Sequence, residues 1–449
     1  MDKRAFLKTS TSVVAGGAAL SHLSHALPVA PTQRMNWAGN YVYKAAHLDE
    51  PANAQDVQKL VTSLSNVKAL GARHSFNDIA DSSGDQISLK HFDEMTLDRA
   101  ARTVTVGAGV TYGKLAPWLD AQGFAVHNLA SLPHVSVVGA CATGTHGSGI
   151  RNGNLSTGVN AIEFVDGRGN MQTLSRAANS AEFNGAVVAL GALGIITRIT
   201  LDVIPSFRIS QVVYENLSFD QLEHNLDAIF ASGYSVSLFT DWQYHRATQV
   251  WLKQNSLDDK TIHLPEQFYG AVLQKTKLHP LAGHSPENCT EQFGVPGPWF
   301  ERLPHFRMDF TPSSGAEIQS EFFVSRTQAY KAILAVEQLR DHITPHLFIT
   351  EFRTIAADEL WLSPAYRRDS LAIHFTWKPD MAAVLEVLPL IEAKLAPFNA
   401  RPHWAKVSTT SHRRLAELYP RLPEFRQLAA KYDPDGKFKN HYLQSVLGA

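Results

Sequence analysis

Five glycines fall within the sixteen residues Val138–Gly153, VGACATGTHGSGIRNG. Each glycine raises the entropic cost of ordering the backbone and packs no side chain, so such a run does not fill a core. It lets backbone come close to something. Amides left free in a tight Gly/Thr/Ser loop form a concave donor surface, and its natural occupant is a phosphate or pyrophosphate. A nucleotide-type cofactor is the first expectation. A tight connection between two buried strands would also use such a run, but Ser131, Ser136, Thr143, Thr145 and Ser148 supply more hydroxyls than a turn needs.

At 449 residues the chain is too long for one ordinary core, which predicts two domains and an N-terminal extra. A net charge of −1 offers no electrostatic footprint for phosphate backbones or anionic lipid, so small neutral partners are expected and nucleic acid is not. Cys141 and Cys289 lack C-x-x-C or zinc-ligand spacing and read as free buried thiols. No H-E-x-x-H occurs among the histidines, and Pro345 between His342 and His346 spoils a shared helical face, so no metal is expected. Residues Lys3 to Ala26 read as a targeting segment: basic Lys3-Arg4, the apolar run Val13–Leu20, then Ser24-His25-Ala26 as a small-x-small cleavage site. The run is too short to span a bilayer. The KRAFLK order is similar to a twin-arginine signal and predicts a periplasmic or secreted protein.

Further along, Asn53 caps a helix with Asp56 three residues on, and Val57, Leu60, Val61 and Leu64 share one face. Val67–Leu70 is a short strand ended by Gly71, which leaves His74 in a loop at a strand end. Spacing alone does not separate His74 from a structural histidine. The strand RTVTV runs into Gly107-Ala108-Gly109, but the next glycine gives G-x-G-x-x-x-G and no acidic residue follows about 20 residues on, which argues against a Rossmann unit. Gly107–Gly109 is then a strand-to-helix turn within reach of a cofactor. Ala161–Arg168 and Met171–Leu174 pair across a turn, and Val187–Ile204 is apolar, with Gly191 and Gly194 allowing close approach.

From about Phe207 aromatics increase, and a helix at Ser218–Phe230 with strands at Ser235–Trp242 and Gln249–Lys253 suggests an antiparallel sheet with helices. In HLFITEFRT, Glu351 and Arg353 share a strand face opposite Phe352; in SLAIHFTW, His374 and Thr376 oppose Ile373, Phe375 and Trp377. A half-solvated sheet accounts for either pair. Four such polar groups on two strands can also ring one small polar ligand.

GARHSFND (71–78), NLASLPHVSVVGACATGTHGSG (128–149), GALGIITR (191–198) and DPDGKF (433–438) resemble the vanillyl-alcohol oxidase and p-cresol methylhydroxylase (PCMH) type FAD superfamily, in its aldonolactone oxidase branch, and most of all its bacterial alditol oxidases. The resemblance covers nearly the whole chain from Asn36. It implies an α+β fold: a PCMH-type FAD-binding domain of two subdomains over residues 27–206, a cap domain with a large antiparallel sheet over 207–400, and a segment 401–449 returning to the FAD domain, after the signal segment 1–26. It implies FAD bonded covalently to His74 and lined by Ala69, Leu70, Gly71, Ala72, Arg73, Ser75, Ser131, Ser136, Gly139, Thr143, Gly144, Thr145 and His146, with Ile196 at the adenine end and Thr376 and His403 near the ring. RPHWAK (401–406) corresponds to the family's H-W-G-K run, with Ala405 where glycine is usual.

For the chemistry, the resemblance places Lys406 and Arg353 beside the reacting hydroxyl, where they favour negative charge electrostatically. Glu351 and His374 would accept and donate to the substrate, and either could pass a proton to solvent; Ser131 would hold a substrate hydroxyl. The expected reaction is oxidation of the terminal hydroxyl of a xylitol- or sorbitol-like polyol, with O2 reduced to H2O2, by a monomer. An aldonolactone or other sugar oxidase or dehydrogenase on the same scaffold, or an exported carbohydrate-binding protein without turnover, are the alternatives.

Overall fold

A computed structural model describes residues 34–256, 264–310 and 317–448. The targeting-like segment Lys3–Ala26 lies outside the described residues. The helix Ala54–Ser63 starts as its cap predicts, with the Asn53 side chain accepting from the Asp56 amide, a contact typical of about 1 kcal/mol. It buries Val57 and Val61 in a core shared with a three-stranded parallel sheet, ordered His47–Asp49, Asp85–Ser88, Val67–Leu70. Beside this lies a five-stranded antiparallel sheet ordered Met95–Asp98, Thr103–Gly107, Ile195–Asp202, Val159–Val165, Met171–Ser175.

The apolar stretch Val187–Ile204 becomes strand only from Ile195. Positive φ at Leu190 (56°) and Gly191 (67°) breaks the extended path before it. Gly194 then lets the strand pass Val165, whose carbonyl oxygen would lie 2.3 Å from any added Cβ. Gly107 and Gly109 serve the same purpose, against the carbonyls of Phe92 and Leu89, rather than reaching a ligand; of that turn only Ala108 lines the cavity described below.

The second half builds a ten-stranded sheet whose centre runs Arg208–Ser218, Arg246–Ser256, Ser235–Thr240, Leu347–Ile355, Ser370–Trp377, Ile318–Ser325, Arg401–Pro402. Its two faces differ. Phe352, Ile373, Phe375, Phe322 and Leu238 pack with the helices Asp220–Ala231, Ala329–Glu337 and Met381–Leu395 in one buried cluster. The alternate residues Glu321, Glu351, Arg353 and His374 turn to the opposite face and are buried there, so they are not the solvent side of a half-exposed sheet. The helices His412–Leu418, Leu422–Tyr432 and His441–Leu447 place Leu415, Phe425 and Leu443 in the core that holds Val104, Phe164 and Leu201. Both cysteines are free and buried.

Candidate active site

One cavity of about 460 Å³ runs from the loops after Val67–Leu70 and around the glycine run to the polar face of the large sheet. At the sheet end, register decides what meets. Glu351 pairs with His374, and His374 with Glu321, so three strands place three polar side chains in one row. Lys406 enters from the segment after Arg401–Pro402. Its Nζ lies 2.6 Å from Glu321 Oε2 and 2.6 Å from His374 Nδ1. Arg353 Nη2 lies 3.3 Å from Glu321 Oε1, and Nη1 donates to Ser131 Oγ at 3.3 Å, which ties the glycine-run side to the sheet side. His146 Nε2 is 3.2 Å from Glu321 Oε1.

These contacts fix protonation. Burial, with Lys406 adjacent, pushes His374 down to about 4, so its ring is neutral at ordinary pH. The neutral Nδ1 then accepts from the Lys406 ammonium, and Nε2–H faces Thr376 Oγ1 at 3.2 Å. Burial also lowers Lys406, although Glu321 opposes that shift. Burial works to raise Glu321 and Glu351, but their donors outweigh it: Lys406, then the imidazoles of His146 and His374, hold Glu321 well below the carboxyl range, and Arg353, then the imidazole of His305, do the same for Glu351. Two capacities are left over. Arg353 Nε, 3.6 Å from Glu351, has no hydrogen-bond partner among the described residues, and Glu351 uses only Oε1, toward His305 Nε2 at 2.8 Å. A polar ligand can therefore find both a donor and an acceptor here.

At the other end the lining is backbone and small side chains: Ala69 to Ser75, Ser136, Gly139, Thr143, Thr145 and Ile196. Arg73 takes the left-handed conformation, φ 62°, and the amides of Ala72 to Ser75 donate to no protein acceptor among the described residues. That is the donor-rich concavity a pyrophosphate-containing group requires. A Cβ on Gly71 would come within 2.8 Å of Ser136 Oγ on the facing loop, and one on Gly139, in the short helix that follows Ser136, within 2.7 Å of the same hydroxyl, so either would displace it. The site fits FAD. His74 borders it, its Nδ1 3.1 Å from His134 Nε2 and its ring against Trp37. Burial, then His134, Lys406 and His374, drives its pKa far down, which keeps the imidazole neutral.

Of the residues that the resemblance placed at the site, Gly144 is the exception. It lies off the cavity, turning the chain at φ 70° with its α-carbon facing Pro364 and Val188. Ser148, one of the hydroxyls of the run, also lies off the cavity and donates to Val236 O. His403, Thr376 and His146 all border the cavity. Ala405 replaces the usual glycine without strain, because its φ is not positive, and its carbonyl accepts from the Phe76 amide at 2.7 Å.

Comparison with known proteins follows the same division. A family model described as "FAD binding domain" matches residues 45–175, and one described as "D-arabinono-1,4-lactone oxidase" matches residues 317–446. An alditol oxidase of a Streptomyces species is 47% identical over 417 residues, covering 92% of this chain and 98% of that protein. The chain belongs to the aldonolactone oxidase branch of the PCMH-type FAD oxidoreductases. L-Gulonolactone oxidase of Mus musculus is 26% identical over 92% of this chain and 98% of its own length. The crystal structure of cholesterol oxidase from Brevibacterium sterolicum shares the fold, with a TM-score of 0.72 at 15% identity over 92% of this chain and 96% of that one.

As a member of this branch the chain is an FAD-dependent oxidoreductase. Glu321 and His305, which also line the cavity, were not singled out in the sequence. Gln319-x-Glu321 has the same two-residue spacing as Glu351-x-Arg353, and that spacing is the signal that could have found it.

Proposed function

We propose that this protein oxidises the terminal hydroxyl of a sugar alcohol of the xylitol or sorbitol kind to the aldehyde, with FAD attached through His74 and O2 leaving as H2O2. The observation that carries the reading is the convergence of Glu351, Arg353, His374, Lys406 and Ser131 on the cavity that His74 borders. Likeness to an alditol oxidase supports the substrate class. Bound FAD would supply the acceptor for the hydride leaving the alcohol carbon and pass the electrons to O2.

The chain's own residues prepare that transfer. Ser131 Oγ and the free oxygen of Glu351 anchor hydroxyls. Lys406 and Arg353 bring positive charge, which favours an ionised hydroxyl in a site shielded from water. His374 accepts from the Lys406 ammonium through Nδ1 and so has no free lone pair in that tautomer; Lys406 can take a proton only as the neutral amine, a form that burial favours and Glu321 opposes. His74, neutral and buried beside the loop amides, has a ring lone pair with which to carry the covalent bond.

An oxygen electrode with xylitol, sorbitol, glycerol and galactonolactone in turn is the test. Uptake with the polyols is expected. Uptake with the lactone alone would establish the alternative, which is favoured by the arabinonolactone oxidase model lying over the strands of the polar row. For the attachment, yellow colour is expected to stay with acid-precipitated protein and to be released from His74→Ala; colour still bound in the variant would mean another residue carries it. The start of the chain is read as an export segment, and activity confined to the cytoplasm of the producing cell would overturn that.

A further inference from the structure

Behind Glu351 lies a chain of buried polar groups with no contact to the glycine run. Lys253, on the strand Arg246–Ser256, is fully buried under the loop that ends in His305. Its Nζ meets three acceptors: Leu303 O at 2.5 Å, Pro304 O at 3.2 Å and His305 Nδ1 at 3.4 Å. An ammonium has three protons and no lone pair, so His305 Nδ1 must be the acceptor of the third. The proton on His305 is thereby placed on Nε2, which donates to Glu351 Oε1 at 2.8 Å. The ring cannot turn away, because Phe239 and Trp251 close on it edge to face, with centroids 5.4 and 5.2 Å distant. Thr290 holds the same loop from the other side, its hydroxyl donating to Pro304 O and its amide to His305 O.

We propose that Lys253 and His305 are positioning residues that hold Glu351 by one carboxylate oxygen and so present the other to a substrate hydroxyl, setting affinity rather than the redox step. The role rests on the polyol reading of the site. Lys253 also faces Arg353 and Cys289, and His305 faces Arg353, so among the described residues Glu351 is the carboxylate that this chain meets. Burial pushes Lys253 down to about 7, against the pull of Glu351. As pH rises through that value the ammonium is lost, His305 Nδ1 loses the proton it accepts, and Glu351 alone holds the ring.

The test uses holoenzyme carrying His305→Leu, His305→Gln or Lys253→Met. With xylitol, His305→Leu is expected to raise KM about thirtyfold, the loss of one hydrogen bond to a charged group, with kcat within about threefold. His305→Gln, which can place an amide N–H near the same point, should recover most of that. In the wild type KM should rise as pH passes about 7, and in Lys253→Met it should be raised throughout and lose this dependence. NMR of 15N-histidine-labelled protein reads the ring without any turnover: His305 should be Nε2–H in both proteins, held so by Glu351, and its Nδ1 signal should shift in Lys253→Met, where the donor to that nitrogen is gone. An unchanged KM in His305→Leu, a loss of kcat at constant KM, or an unchanged Nδ1 signal in Lys253→Met would overturn the proposal. Should no polyol turn over, the functional reading fails and the Nδ1 signal alone supports or overturns the chain.

Discussion

Glu321 sits at 1% exposure on a strand buried on both faces, yet Lys406, His146, His374 and Arg353 all converge on its two oxygens. A buried carboxylate is costly unless paired, and removing one member of such a cluster leaves the others charged and unmatched. Glu321→Gln is expected to lower stability by about 3 kcal/mol at neutral pH, read as a shift in the urea midpoint. The sign with pH follows from the depressed pKa: the ionised group contributes stability above the ordinary carboxyl range and loses it as pH falls through the folded value. The gap between variant and wild type should therefore narrow in acid; an equal gap at neutral and acid pH would show that the charge is not what stabilises. Glu351, Arg353 and His374 were legible in the sequence because each polar residue alternates with a large apolar one. Glu321 and Lys253 were harder to read: Gln319 and Glu321 share a face, but polar Ser320 opposes them and apolar Phe323 follows on their own side, and in KQNS every position is polar, so the period-two contrast is blurred.

Elements were legible where local chemistry decides them. The Asn53 cap and the strand Val67–Leu70 are read directly from sequence, and so are the strand residues whose apolar neighbours meet the covering helices. What local chemistry does not give is why a glycine stands where it does. Gly123 and Gly194 look alike in sequence but are required for different reasons. Gly123 has φ 83° with nothing within 4 Å of a built Cβ, so Gly123→Ala costs only the left-handed conformation, about 1 kcal/mol. Gly194→Ala would drive a methyl to 2.3 Å from Val165 O and 2.8 Å from Phe164 Cδ2, where backbone must shift, and about 3 kcal/mol is expected. Because Gly194 borders the cavity, its variant should also perturb the flavin absorbance, and Gly123→Ala should leave it unchanged. Equal thermal shifts and unaltered spectra in both would refute the distinction.

At the scale of the whole molecule, the end of the chain closes the loops near His74. The Asp433 carboxylate accepts from the amides of Lys437 and Phe438, making the tight turn of DPDGKF, and Lys437 O accepts from the Val67 amide at 2.9 Å. Asn440 then donates through Nδ2 to the carbonyls of Asp78, Ile79 and Asp81, at 3.0, 3.1 and 2.8 Å. Ile79 and Ala80 line the cavity, so one side chain some 360 residues along the sequence steadies part of its wall. This could not be read from sequence, where DPDGKF marks a turn but not the element it docks on. Asn440→Ala strands buried carbonyls and removes a helix cap, and a loss of about 2–3 kcal/mol is expected. The informative background is His74→Ala, in which FAD is expected to be held by non-covalent contacts alone. There Asn440→Ala should weaken FAD binding, measured by fluorescence on titration, while substrate KM in the otherwise wild-type protein stays unchanged. The polar row lies on the large sheet and makes no contact with Asn440, so a change in KM without one in FAD affinity would contradict this division of the molecule.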